Sequence, residues 1–213
     1  MDRQAQFRAR EVLIFDVAER LLLESGETGM TLDALALELD LAKGTLYKHF
    51  QSKDELYLHL IIRNEQTLLN MMDSQADYPS RVALFMLHHL HDSGRTVLLH
   101  QIEERLSAGS HGLGTLFAQL YRIRKQRLRR IISLTTGYLQ DSGSTMPTRD
   151  YLAAIWSTTQ GGAAILNSSF YQRYLGDRDT LRVALIEQVL AIPFAHSPHK
   201  YVPPVSSEPE QPA

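Results

Sequence analysis

Residues 31–57 read TLDALALELDLAKGTLYKHFQSKDELY, and their pattern decides the fold. Thr31 stands where a hydroxyl can accept from the free amides of a first helical turn. Leu32, Leu35, Ala36 and Leu39 follow at helical spacing and give a short helix one apolar face. Asp40 falls where the chain must turn, and Asp tolerates turn and left-handed backbone. Leu41 is apolar and tucks the turn toward the core. A second short helix is predicted over 43–50, KGTLYKHF, with Leu46 and Phe50 facing inward. Lys43, Thr45, Tyr47, Lys48 and His49 are left around its other faces. A short exposed helix with polar groups, a phenol and two lysines suits the major groove, where polar side chains read base edges and cations hold phosphates. Ser52 and Glu55 then form a capping box that opens a longer helix, with Asp54 and Glu55 complementing its dipole.

Upstream, IFDVAERLLLESG (14–26) is an amphipathic helix ending at Gly26. It is predicted over about 8–25, with Val12, Ile14, Phe15, Ala18, Leu21 and Leu22 on its buried stripe. Together, these two stretches resemble the helix-turn-helix of the tetracycline-repressor (TetR) family over roughly residues 10–60. The wording GTLYKHFQSKDELY carries most of the likeness. The resemblance implies an all-α protein: an N-terminal three-helix helix-turn-helix domain, then a C-terminal helical ligand-binding and dimerisation domain. It implies a transcriptional regulator, most simply a repressor, that binds a palindromic double-stranded DNA operator as a homodimer and is released by a small-molecule effector. It also implies a DNA-contacting set of Thr31, Lys43, Thr45, Tyr47, Lys48, His49 and Lys53. Within it, Tyr47, His49 and Lys53 meet phosphates, and Lys43, Thr45 and Lys48 lie nearest base edges. The chain departs from the family's usual wording at Glu27, Asp40 and Ala42, the last having no oxygen with which to cap. Asp33 sits where some members carry a cation, and its carboxylate opposes phosphate.

The 213 residues suffice for one mid-sized domain or two small ones, and 44% are hydrophobic. No run approaches the ~18 apolar residues of a membrane span. The N-terminus MDRQAQFRAR has no apolar signal core, so a cytoplasmic location is expected. The net charge of −2 argues for local, specific DNA contact rather than general coating. Cysteine is absent, which excludes disulfides, thiol redox sensing and Cys-rich zinc sites. No nucleophile–base spacing, phosphate loop or acid pair points to an enzyme, and no cofactor motif is present.

The domains are expected at 1–53 and 54–193, with 194–213 a disordered tail holding five of the eight prolines. Arg3, Arg8 and Arg10 make the start either a solvated, frayed end or a basic arm toward DNA. After the helix that opens at Ser52, Tyr78-Pro79-Ser80 break the pattern. Helices are expected over about 80–92, 95–107, 113–140, 149–171 and 178–192, with Pro193 stopping the last. The last two would supply the dimer interface by resemblance. Gly161 and Gly162 lie mid-helix, where each costs ~1 kcal/mol relative to Ala, and a close helix approach at a dimer seam is expected to offset this.

Phe85, Met86, His89, Phe117, Leu120, Tyr121, Trp156 and Gln160 are candidates for an effector pocket among the central helices, against ordinary core packing. His88 and His91, three apart, with His89, His100 and His111 nearby and Glu103 and Glu104 close in sequence, form a candidate divalent-metal site with nitrogen and oxygen ligands; the alternative is a polar face. That cluster leaves open a metal-responsive or constitutive regulator. Arg122, Arg124, Lys125, Arg127, Arg129 and Arg130 wrap around their helix and read as a solvated face, the alternative being that Arg122 or Arg124 meets an acidic ligand.

Overall fold

The computed structural model describes residues 3–109, 112–174 and 176–195. His111, the fifth histidine of the candidate cluster, and residues 196–213 of the expected tail lie outside them. Among the described residues the chain forms α-helices and one 3-10 turn, with no strand. In order, α1 is Arg3–Gly29, α2 Leu32–Glu38, α3 Lys43–Leu46, α4 Lys53–Met71, α5 Tyr78–His91, α6 Ser93–Gly109, α7 Gly114–Asp141, α8 Thr148–Asn167 and α9 Arg178–Ala195. The 3-10 turn is Tyr171–Arg173.

Local chemistry sets most of these ends. Thr31 accepts from the amide of Ala34 at 3.0 Å and starts α2. Asp40 adopts φ 49°, the left-handed turn that lets Leu41 N reach Ala36 O at 2.9 Å. Ser52 accepts from Glu55 N at 3.0 Å, and the Glu55 carboxylate accepts from Gln51 N at 2.6 Å. Each such cap is worth ~1 kcal/mol. Gly26, at φ 69°, breaks the regular run of α1, and one further turn follows before Met30.

Other ends differ from expectation. The first helix begins at Arg3 rather than near residue 8, so the basic start is helical. Val12 is exposed, whereas Ile14, Ala18 and Leu22 form the buried stripe. Tyr78-Pro79-Ser80 does not break a helix but opens α5. Asp77 caps it by accepting from Ser80 N at 2.8 Å, and Pro79 occupies the first turn, where no amide is needed. The helix of Trp156 ends at Asn167, short of residue 171. Pro193 lies inside α9 rather than ending it. Its carbonyl accepts from Ser144 Oγ at 2.9 Å.

Two apolar clusters organise the packing. The first joins Ile14, Ala18, Leu22, Leu35, Leu46 and Phe50 to Leu56, Tyr57 and Leu60 of α4, and continues to Ile102 of α6 and Leu120 of α7. It runs without interruption across the expected 53/54 division. The second joins Val82, Met86 and Leu90 of α5 to Ile131 of α7, to Tyr151, Ile155 and Ala163 of α8, and to Val189 of α9. Helix α7 belongs to both clusters and packs along α4. Full burial of such side chains contributes ~1.5–3 kcal/mol each, so α4 and α7 are held together from the helix-turn-helix to the distal core.

Gly162 explains one of the paired glycines. A Cβ there would lie 2.7 Å from Leu185 Cδ1 and 3.0 Å from Leu90 Cδ2. The close approach there is of α9 and α5 within the subunit. Around Gly161 the described structure leaves open space.

Candidate functional site

The α2–α3 unit presents a polar face on a buried base. Leu46 and Phe50 are both 1% exposed and anchor the segment to α1 and α4. The regular helix is shorter than the predicted 43–50. It has one turn, after which Lys48 N and His49 N bond three residues back, to Thr45 O and Leu46 O. Ala42, as expected, supplies no cap. Lys43, Tyr47 and Lys48 are exposed on this segment, and Thr45 and His49 are half-buried.

His49 is steadied from the N-terminus. Its ring stacks on Phe7 with centroids 4.1 Å apart and planes 21° from parallel. Burial lowers its pKa, so the ring is mostly uncharged at neutral pH. The same contact fixes the start of α1, which carries exposed Arg8 and Arg10. Phe7 played no part in the sequence reading: its partner is 42 positions away, and no spacing rule reaches that far.

Two of the expected DNA-contacting residues also bond within the protein. Thr31 spends its hydroxyl oxygen on the α2 cap. Lys53 turns inward: Nζ donates to Glu27 O at 2.8 Å and Met30 O at 3.3 Å, and lies 5.6 Å from the Tyr57 ring centroid. It thereby clamps the end of α1 to the start of α4. Asp33, on the exposed side of α2, pairs with Lys43 Nζ at 2.6 Å. Its charge is thus partly cancelled on the face where it would repel DNA.

The second site lies between α4, α5, α6, α7 and α8. A cavity of about 270 Å³ is lined in part by Phe85, His89, Trp156 and Gln160, four of the expected pocket residues. The other four are placed differently. Met86 and Leu120 are wholly buried in the second and first clusters, Phe117 packs against the first, and Tyr121 is exposed. Helical spacing cannot separate a pocket wall from a core position one turn away.

The cavity's polar wall was not legible as such. Glu65 of α4 is 3% exposed and accepts from Arg124 Nε at 2.9 Å and from Arg127 Nε. Arg124 also donates from Nη1 and from Nη2, the latter at 2.7 Å, to the Glu103 carboxylate of α6. Burial works against the Arg124 charge, but the bonds to Glu103 and Glu65 outweigh it and raise its pKa. Arg130 pairs with Asp73 at 2.5 Å. Arg124, Arg127 and Arg130 thus form one row, three residues apart, facing acidic partners. Only Arg122, Lys125 and Arg129 fit the solvated reading of that run. The available signal was Glu65 itself, a carboxylate in register with Ile61 and Leu68.

His88 and His89 bond within the subunit, while His100 is exposed and stands in the cavity wall. His88 Nε2 donates to Asn64 Oδ1 at 2.9 Å, and His91 is exposed. His89 Nδ1 donates to Phe85 O at 2.8 Å, and burial pushes its pKa down to about 4. Among the described residues no group of three or more His, Asp or Glu is arranged to hold a metal. No helix of the described residues is long and apolar enough to cross a membrane.

Residues 14–60 match the family model of bacterial regulatory proteins, tetR family. The HTH-type transcriptional regulator SAB2452 of Staphylococcus aureus (strain bovine RF122 / ET3-1) is 32% identical over 96 residues, covering 42% of this chain and 51% of that protein. The chain thus spans about half the length of that relative. The uncharacterized HTH-type transcriptional regulator YhgD of Bacillus subtilis (strain 168) is 26% identical over 152 residues, covering 68% of this chain and 76% of that one. A bacterial regulatory protein in the tetR family from Rhodococcus RHA1 shares the fold at 16% identity with a TM-score of 0.61, over 84% of this chain and 94% of that one.

Proposed function

We propose that this chain, a tetR-family protein through its residues 14–60, is a repressor that binds a two-fold DNA operator as a homodimer and leaves it when a small molecule occupies the helical part. The carrying observation is the segment 43–49. Lys43, Tyr47 and Lys48 are exposed on one side, while Leu46 and Phe50 fix the other in the core. Lys43, Thr45 and Lys48 approach base edges, and Tyr47 and His49 meet phosphates. Lys53 acts by holding α4 to α1 rather than by touching DNA. One such module binds weakly, and two of them, set ~34–36 Å apart, read paired half-sites.

The division of labour follows the chain. The part up to residue 53 reads DNA, and the part from 54 to 193 takes the effector in the chamber beside Glu65 and dimerises through α8 and α9. An operator on the chromosome places the protein in the cytoplasm. Helix α4 belongs to both parts, so an effector that favours one packing of α4 against α7 changes the separation of the reading heads. This requires unequal affinity of the effector for the two states.

The test is selection of binding sites from random duplex DNA with the purified chain, followed by anisotropy titrations. Enrichment of an inverted repeat is expected, with Tyr47→Ala weakening binding about equally across sequences and Lys48→Ala costing ~1–3 kcal/mol and relaxing the preference at its base pair. Absence of an enriched sequence, together with unchanged binding by both variants, would sink the reading.

A further inference from the structure

The chamber beside Glu65 has a chemical bias that can be read from its hydrogen bonds. Both Glu65 oxygens and both Glu103 oxygens are taken by arginine nitrogens. Arg124 uses all three of its nitrogens on them. Arg127 uses only Nε. Its side chain is 15% exposed, and among the described residues its two terminal nitrogens have no hydrogen-bond partner. The unmet capacity is therefore on the donor side, four N–H groups in a planar fork that matches a carboxylate.

Arg127 also stands where two spaces meet. The 270 Å³ cavity and a second of about 10 Å³, room for a single water, share Phe85, Arg127 and Trp156 as walls. The guanidinium carbon of Arg127 lies 6.0 Å from the Phe85 ring centroid. Polar donors and flat apolar surface therefore adjoin in one site. An apolar cavity of about 150 Å³ already takes benzene, so a ring with a short substituent fits this one. The four charged side chains Glu65, Glu103, Arg124 and Arg127 sum to zero, and His89 is neutral. A single negative head is what this set can accept; a dianion would face two carboxylates.

We propose that this cavity binds an aromatic monocarboxylate, its carboxylate on the terminal nitrogens of Arg127 and its ring against Phe85 and Trp156. The bound carboxylate shares the Arg127 guanidinium with Glu65, and this second negative charge beside Glu65 loosens the tie between α7 and α4. That consequence rests on the regulatory reading above; the binding site does not.

Trp156 is the chain's single tryptophan, so its emission reports the cavity directly. The full chain, without DNA, is titrated with benzoate, phenylacetate and 3-phenylpropanoate, each against its carboxamide. At least one acid should change Trp156 emission and bind about tenfold or more tighter than its amide. Arg127→Met should erase that preference. Arg127→Lys, which keeps a cation for Glu65 but not the fork, should fold as the parent does and weaken the acid severalfold. Silence of all three acids at millimolar concentration, or acid and amide binding equally, overturns the proposal. A second arm adds the bound acid to the chain on its selected operator. Release supports the coupling, and tight acid binding without release overturns the coupling while the site stands.

Discussion

Glu65 on α4 and Arg124 on α7 are bonded at 2.9 Å across a helix pair that also shares the main apolar cluster. The carboxylate is almost wholly buried, and it is held by Arg127 as well. Removing one member of a buried ion pair leaves the other charge uncompensated. Glu65→Ala is therefore expected to cost ~3–5 kcal/mol, read by urea denaturation. Glu65→Gln, which keeps an acceptor oxygen, should cost less. A loss below ~1 kcal/mol for the alanine variant would mean that water, not Glu65, solvates the arginines.

Stability should fall as the solution is acidified below neutrality. His89 has a folded pKa of about 4 against an ordinary value of 6.5. Burial also lowers His49, His59 and His88. Above the ordinary value both folded and unfolded forms are neutral and nothing is lost. Between about 6.5 and 4 the unfolded chain takes up a proton that the folded chain refuses, so His89 alone removes ~1.4 kcal/mol per pH unit. Thermal melts at pH 7 and pH 5 check this. His89→Gln should flatten the difference.

Lys53 offers a contrast between a structural and a contacting lysine. Its ammonium bonds two carbonyls at the end of α1. Lys53→Met should lower stability by ~1.5–3 kcal/mol, the range for hydrogen bonds to a charged group, as measured by thermal or urea melts without DNA. An unchanged melting temperature would show that the lysine is free to reach elsewhere.

Asp33 is 70% exposed and, among the described residues, paired only with Lys43, itself half exposed. Such a pair contributes ~0–1 kcal/mol, so Asp33→Ala should leave the melt almost unmoved. It should nonetheless tighten operator binding, because a carboxylate leaves the face and Lys43 is released. Weaker binding instead would mean that Asp33 accepts a hydrogen bond from a base.

The paired glycines should behave oppositely. Gly161→Ala meets open space and should gain up to ~1 kcal/mol of helix propensity. Gly162→Ala pushes Leu185 and Leu90 and should lose most or all of that gain, since overpacking costs ~1–3 kcal/mol. Urea midpoints of the two variants decide it. Destabilisation by Gly161→Ala would place a partner subunit against that face.

The sequence by itself determined what short-range chemistry controls. Thr31, Ser52 and Glu55 act on amides three or four residues away, Asp40 takes its turn locally, and the apolar periods of α1, α2 and α4 are properties of neighbouring side chains. Hence the helix-turn-helix and its exposed face were legible. Only the tertiary structure decided the rest. Arg124 meets Glu65 across 59 positions, Lys53 meets Glu27 across 26, and Phe7 covers His49. Gly162 faces Leu90 and Leu185, which belong to other helices. A helical period says that a residue faces inward. It does not say what it meets there, because that depends on how distant helices cross and on which charges desolvation forces to find a partner.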